Sequence, residues 1–76
     1  MKSNDIVNAL NQIIKAQDVS VASVARRMDK STQALNKQLN NDDMKVSTLL
    51  EIIEALHCDF DITITDRATN KNYKLP

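Results

Sequence analysis

Apolar residues recur every three or four positions over roughly the first three quarters of the chain, a spacing that predicts amphipathic α-helices. A first helix is expected over about Asn4–Ala16, with Ser3 as its N-cap. A second begins after Ser20 and a third after Ser31, because a serine hydroxyl can accept an amide hydrogen of the first turn. The third should end near Asn40–Asn41, since asparagine tolerates the left-handed conformation that closes many helices.

A fourth helix is expected after a loop at residues 42–45. Ser47 or Thr48 can cap it, and Thr48 with Glu51 can form a capping box. Val46 can pack against the start of this helix as a staple. Its predicted buried face consists of four apolar residues: Leu49, Leu50, Ile53 and Leu56.

Beyond the fourth helix the apolar period changes to two. Apolar and polar residues alternate from Phe60 to Ile64, which predicts a β-strand. The polar segment 66–72 predicts a turn, in which Asn70 is best suited to a positive φ, and Tyr73–Leu75 predicts a second strand. The chain is thus expected to form one compact unit, with a helical domain at residues 1–58 and a hairpin tail at residues 59–76.

An isolated two-stranded hairpin is marginally stable in water, so the tail needs cover from the helices or a partner strand. Pairing of two copies into a four-stranded sheet across a two-fold axis meets that need. The residues expected to form this dimer contact are the apolar ones of the tail: Phe60, Ile62, Ile64, Tyr73 and Leu75.

The third predicted helix has few apolar residues, and its clear anchors are Leu35 and Leu39, four positions apart. The other positions carry side chains that can hydrogen-bond to base edges or phosphates: Thr32, Gln33, Asn36, Lys37 and Asn40. A short helix that is anchored by two leucines and displays amides and an ammonium suits a DNA major groove. The alternative is that these polar residues form only the solvated face of a surface helix and contact no DNA.

Composition narrows the range of functions. The chain has no glycine, hence no glycine-rich phosphate loop, and a single cysteine, Cys58, which favours a reduced compartment. No apolar run approaches the roughly 20 residues that cross a bilayer, and the first residues lack the apolar segment of a signal peptide. We therefore expect a cytoplasmic protein that needs no cofactor or metal. No set of residues supports catalysis, so an enzyme is not expected.

The net charge is zero, which is unusual for a nucleic-acid binder. The charges are nevertheless unevenly distributed: six cationic and four anionic residues lie between Lys15 and Lys45, whereas three cationic and five anionic residues follow from Val46 onward. The region of the third helix is thus the positive one. This distribution predicts modest non-specific affinity, with base contacts and dimerisation contributing much of any specific binding.

Residues Val19–Cys58 resemble the DNA-binding domain of the Cro and phage-repressor (Xre-type) helix-turn-helix family. The matching positions are Ala25, Met28 and Leu35, followed by the helical segment Ser47–Leu56. The resemblance implies a mainly α fold, a four-helix lambda-repressor-like helix-turn-helix domain, here followed by the β-hairpin. It also implies a bacterial or phage transcriptional regulator that binds a pseudo-palindromic operator in double-stranded DNA as a homodimer, with its third helix in the major groove.

The resemblance assigns roles to individual residues. The base-reading positions of the family correspond to Thr32, Gln33, Asn36 and Lys37. Contacts with the DNA backbone are expected from Ser20, Ser23, Lys30, Asn40 and Lys45. The chain departs from the family pattern at three positions: Asp29 replaces the usual turn glycine, Val21 replaces a glutamine that contacts phosphate, and Leu39 replaces an acidic residue.

A second hypothesis keeps the fold and changes the partner. The free edge and apolar face of the hairpin would bind a different protein, as in an antitoxin that neutralises a toxin, while the helices regulate the protein's own operon.

Overall fold

A computed structural model describes residues 2–41 and 43–75, so that Asp42 of the predicted loop lies outside the described residues. It shows four helices followed by a two-stranded antiparallel hairpin, which confirms the predicted fold class. The elements are α1 (Ser3–Ala16), α2 (Val21–Arg27), α3 (Thr32–Leu39), α4 (Val46–Ala55), β1 (Thr63–Thr65) and β2 (Asn72–Lys74).

One hydrophobic core joins the four helices. Its most deeply buried large side chains are Val24, Leu35, Ile52 and Leu56, which come from α2, α3 and the α4 region. Ala25 is also buried, and its small side chain allows α2 and α3 to cross closely. In the described part of the chain no polar or charged residue is fully buried, so burial of apolar surface is the main source of stability.

The predicted caps of α1 and α4 are wrong. Ser3 is the first residue of α1 and Lys2 is its N-cap; the Asp5 carboxylate accepts a hydrogen bond from the Lys2 N–H at 2.8 Å. The N-cap of α4 is Lys45, so Ser47 and Thr48 lie inside the first turn. A cap hydrogen bond contributes only about 1 kcal/mol, which is less than the burial of several apolar side chains that positions the helix.

The predicted buried face of α4 is correct for Leu49, Ile53 and Leu56 but wrong for Leu50, which is 47% exposed. Ile52 takes its place and is completely buried. The reason is helical spacing: positions 49, 52, 53 and 56 form one stripe, whereas position 50 points about 100° away from position 49. Val46, four residues before Leu50, is likewise exposed rather than packed as a staple.

Three helices end in a left-handed residue although the chain has no glycine. Asp18, Asp29 and His57 have φ values of 55–56°. At the end of α2 the Lys30 N–H bonds to the Ala25 carbonyl at 2.9 Å, and the ends of α1 and α4 have the same pattern, a Schellman motif. Aspartate, asparagine and histidine are the non-glycine residues that adopt this conformation most readily.

The positive φ predicted for Asn70 is confirmed at 57°, but the left-handed end predicted for α3 is wrong. Asn40 has a φ of −103°, and its side-chain amide donates instead to the Asn36 carbonyl at 2.9 Å. The Asn41 N–H bonds to the Gln38 carbonyl at 3.1 Å, which satisfies a terminal carbonyl of α3 without a left-handed residue.

We expect the Asp29→Gly variant to be about 1 kcal/mol more stable than Asp29→Ala, because a Cβ atom is strained at positive φ whereas glycine is not. The difference is read from the urea midpoints of the two variants. The same pair of substitutions at Asn40, where φ is negative, serves as the control and should show no advantage for glycine. Equal stabilities of the two Asp29 variants would contradict the assigned conformation.

The hairpin pairs Thr63 with Lys74, Ile64 with Tyr73 and Thr65 with Asn72. A further hydrogen bond from the Leu75 N–H to the Ile62 carbonyl, at 3.0 Å, extends the ladder toward the helices. The first strand begins later than predicted because Phe60 lies beside helical residues instead of pairing. All six strand residues are exposed, and the molecule measures 45 × 21 × 21 Å, so the helices leave the hairpin largely uncovered.

Candidate DNA-binding surface

The outer face of α3 is polar and open to solvent. Leu35 and Leu39, with exposures of 0% and 2%, fasten the helix to the core. Four exposed polar residues follow the i, i+3, i+4, i+7 spacing that places them in one stripe away from the leucines: Gln33, Asn36, Lys37 and Asn40. Thr32, in the first turn, is exposed as well.

The side chains along this stripe differ in how much of their hydrogen-bonding capacity is free. Within residues 2–41 and 43–75, no hydrogen bond or ion pair engages the side chains of Thr32, Gln33 or Lys37. The Asn40 amide donates to the Asn36 backbone carbonyl, which leaves the Asn36 side chain free as well. Four base-reading candidates are therefore unengaged on one exposed helix.

The two helices that present this surface begin at the predicted serine caps. The Ser20 hydroxyl accepts the Ser23 N–H at 3.1 Å and lies 3.0 Å from the Ser23 hydroxyl. The Ser31 hydroxyl accepts the Ala34 N–H at 3.1 Å. These bonds confirm both caps and set where α2 and α3 start. Ser20 is exposed and Ser23 half-buried, so both remain near solvent.

The two lysines assigned to DNA phosphates have different surroundings. Lys30, in the turn between α2 and α3, lies 3.2 Å from the Glu51 carboxylate, and only 28% of its side chain is exposed. Lys45, the N-cap of α4, is exposed, and no ion pair engages it in the part of the chain that the structure describes. Lys45 is therefore the more accessible cation.

Two side chains that the sequence does not single out hold the end of α4. The Arg27 guanidinium of α2 donates to the Ala55 carbonyl at 2.9 Å, and the Gln17 amide donates to the Leu56 carbonyl at 2.8 Å. Both acceptors are terminal helix carbonyls without an intrahelical partner. Sequence patterns carry no signal for these bonds, since each joins a polar side chain to a backbone atom far along the chain.

A second surface, which we call the tail patch, is apolar. It comprises Val46, Leu50, Phe60, Ile62, Ile64, Tyr73 and Leu75. All of these except the half-buried Ile62 are large hydrophobic side chains with at least 40% exposure. Val46 and Leu50 of α4 line one shallow depression together with Phe60, Ile62 and Leu75, and the strand pairing places Ile64 and Tyr73 beside them.

The tail patch contains all five residues that the sequence suggests for dimerisation and adds Val46 and Leu50. The sequence offers one indication of the two additional residues: they are apolar and lie four positions apart in α4, on a stripe different from the buried one. Contiguous exposed apolar surface of this kind commonly marks a contact with another molecule.

The described residues contain no group of three or more histidine, cysteine, aspartate or glutamate side chains arranged to hold a metal ion. Of the helices in the described ranges, none is both long enough and apolar enough to span a bilayer.

No curated protein and no solved structure gives a significant match to the chain. A family model described as the Cro/C1-type HTH DNA-binding domain matches residues 9–61. The match covers most of α1 and all of α2, α3 and α4, and it ends before the hairpin strands. The resemblance stated from the sequence is thereby confirmed, and the chain belongs to the Cro/C1-type helix-turn-helix DNA-binding domain family.

Proposed function

We propose that the protein is a homodimeric transcriptional regulator that recognises a specific operator by inserting α3 into the major groove. The observation that carries this proposal is the orientation of α3: Leu35 and Leu39 are buried, while Gln33 and Lys37 face solvent unengaged by other described residues. In a two-fold dimer, two such helices would enter successive major grooves about 34 Å apart on a pseudo-palindromic site.

Four residues of α3 are proposed to contact bases. Gln33 and Asn36 each have a carboxamide that can donate to N7 and accept from N6 of adenine. The Lys37 ammonium can donate to O6 or N7 of guanine, and Thr32, at the start of the helix, can reach a phosphate or a thymine methyl group. Amides and an ammonium on one exposed stripe support base recognition by hydrogen bonding.

The DNA backbone is proposed to be held from both sides of α3. Ser20 and Ser23 lie at the start of α2, whereas Asn40 is the C-cap of α3 and Lys45 is the N-cap of α4. Lys30 is proposed to exchange its partner Glu51 for a phosphate on binding. Ion pairs near the surface contribute only about 0–1 kcal/mol, so a DNA phosphate can compete with the Glu51 carboxylate.

The experiment that tests the proposed function is selection of bound sequences from a random pool of duplex DNA at a fixed salt concentration. We expect enrichment of a two-fold symmetric sequence whose half-sites are centred about one helical turn apart. Absence of any enriched sequence at low salt would overturn the proposal, because base recognition must produce a preference among sequences.

We expect Lys45→Ala to weaken binding to all DNA sequences by a similar factor, because a phosphate contact carries no sequence information. The slope of log affinity against log salt should become shallower by about 0.9 for each lost contact. Lys15→Ala is the matched control: Lys15 is also exposed, but it lies at the end of α1, close to Gln17, which contacts the opposite end of α4. An unchanged salt slope in Lys45→Ala would remove this residue from the interface.

We also propose a division of roles along the chain, in which residues 1–58 contact DNA and residues 59–76 hold two copies together. The tail patch supports this role for the hairpin. The same patch is the observation that favours the second candidate function, an antitoxin-type protein whose tail binds a toxin. A monomer in light scattering that co-purifies with the product of a neighbouring gene would support that candidate over the homodimer.

A further inference from the structure

We propose that two copies of the chain pair through the free edge of β1, antiparallel, with Thr63 on the two-fold axis. The product is a four-stranded sheet in the order β2, β1, β1, β2. This inference rests on the proposed homodimer and specifies which strand joins the copies and in which register.

The hydrogen bonds of the hairpin determine which backbone groups are free. The Leu75 N–H bonds to the Ile62 carbonyl, and the Asp66 N–H bonds to the Lys71 carbonyl. Ile62–Leu75 and Asp66–Lys71 are therefore hydrogen-bonded pairs of the ladder. Hydrogen-bonded and non-hydrogen-bonded pairs alternate along an antiparallel ladder, so the Thr63–Lys74 pair is a non-hydrogen-bonded one. The N–H and C=O groups of Thr63 and Thr65 point away from β2, toward the open edge of β1.

The two edges of the hairpin differ in their chemistry. β1 consists of Thr63, Ile64 and Thr65, which are all β-branched and uncharged. β2 carries Lys74 and is preceded by Lys71, whose ammonium lies 5.4 Å from the centre of the Tyr73 ring. Lysines on an edge strand oppose pairing with another chain, whereas β-branched residues favour it. The β1 edge is therefore the one suited to accept a strand.

Matching of side chains selects the register. With Thr63 on the axis, Ile62 of each copy lies directly opposite Ile64 of the other, on the apolar face of the sheet. With Ile64 on the axis, Ile62 would instead face Asp66 of the second copy. With Ile62 on the axis, the strand would have to extend to Phe60, which lies beside Val46 and Leu50 of α4.

A second copy is the occupant that this edge fits, because the edge is complementary to itself. In the Thr63-centred register Asp61 faces Thr65 of the second copy, so no like charges meet, and Asp61 keeps its ion pair with Lys74 at 3.3 Å. The exposed apolar side chains of both hairpins also come together on one face, continuous with Val46 and Leu50. A strand from an unrelated protein has no such built-in match of isoleucine to isoleucine.

The test is cross-linking by a disulfide in the full chain with Cys58 replaced by serine. Opposed residues in a hydrogen-bonded antiparallel pair have Cα atoms about 5.5 Å apart, which lies in the range that a disulfide spans. We expect Thr63→Cys to form a covalent dimer on mild oxidation at micromolar protein. The matched control is Lys74→Cys, which lies opposite Thr63 within the hairpin but on the β2 edge and should stay monomeric on a non-reducing gel.

Stronger cross-linking of Lys74→Cys than of Thr63→Cys would overturn the choice of edge, and stronger cross-linking of Ile64→Cys would overturn the register. Failure of all three variants to cross-link, with helical circular dichroism intact, would overturn pairing through the hairpin. The selected operator separates this failure from failure of the proposed function. If the unmodified chain still binds the operator as a dimer, only the β1 pairing is wrong; if it enriches no sequence, the proposed function is wrong as well.

Discussion

Replacing Leu35 by alanine is expected to lower the free energy of unfolding by about 2–5 kcal/mol. Leu35 has no exposed surface and lies in the core that α2, α3 and α4 share, so its truncation leaves a cavity that the neighbouring helices cannot fully close. The total stability of a domain of this size is only about 4–11 kcal/mol. The variant should therefore lose a large share of its total stability.

Urea titration followed by circular dichroism measures this loss, and Gln33→Ala is its matched control. Gln33 lies on the same helix, two residues before Leu35, but is exposed, so its truncation should change stability by no more than about 0.5 kcal/mol. If Leu35→Ala lost less than about 1 kcal/mol, the inward orientation of α3 would be refuted, together with the assignment of its outer face to DNA.

Much of the helical framework follows from local signals in the sequence. The serines at positions 20 and 31 cap α2 and α3 as expected, and the four-residue spacing of Leu35 and Leu39 correctly identifies the buried side of α3. These features are predictable because a cap and an amphipathic stripe depend on residues within one or two turns of each other. The outward position of Gln33 follows from the same spacing.

The features that the sequence does not reveal are those in which distant segments compete. Leu50 is as apolar as Ile52, but Ile52 is buried and Leu50 is exposed because the other helices cover only one side of α4. Arg27 is indistinguishable in sequence from its solvated neighbour Arg26, and its bond to the Ala55 carbonyl depends on how α2 and α4 pack. Likewise, no local pattern indicates that Lys30 is paired with Glu51.

The start of α4 connects the two candidate surfaces. Lys45, at its N-cap, belongs to the proposed DNA surface, and the next residue, Val46, belongs to the tail patch. Arg27 and Gln17 hold the other end of the same helix against α2 and α1. In the proposed dimer, α4 would connect the paired β1 strands rigidly to α3, so the strand pairing would determine the distance between the two α3 helices. The spacing of the operator half-sites would follow from that distance.

Replacing Gln33 by alanine is expected to lower affinity for the selected operator by about 1–3 kcal/mol per half-site, or about 5–150-fold, because a bidentate contact with one base is lost. The loss should be confined to operators that carry the contacted base pair. On an operator altered at that pair, Gln33→Ala and the unmodified protein should bind alike. Fluorescence anisotropy with both DNAs at one salt concentration measures the four affinities, and their double difference isolates the contact.

Gln12→Ala is the matched control for this measurement, since Gln12 is the same type of side chain, is exposed, and lies on α1 outside the proposed surface. It should bind both DNAs as the unmodified protein does. An equal loss by Gln33→Ala on both operators would make Gln33 a phosphate contact instead of a base contact. No loss on either would exclude Gln33 from the interface and leave recognition to Asn36 and Lys37, one turn further along the same face of α3.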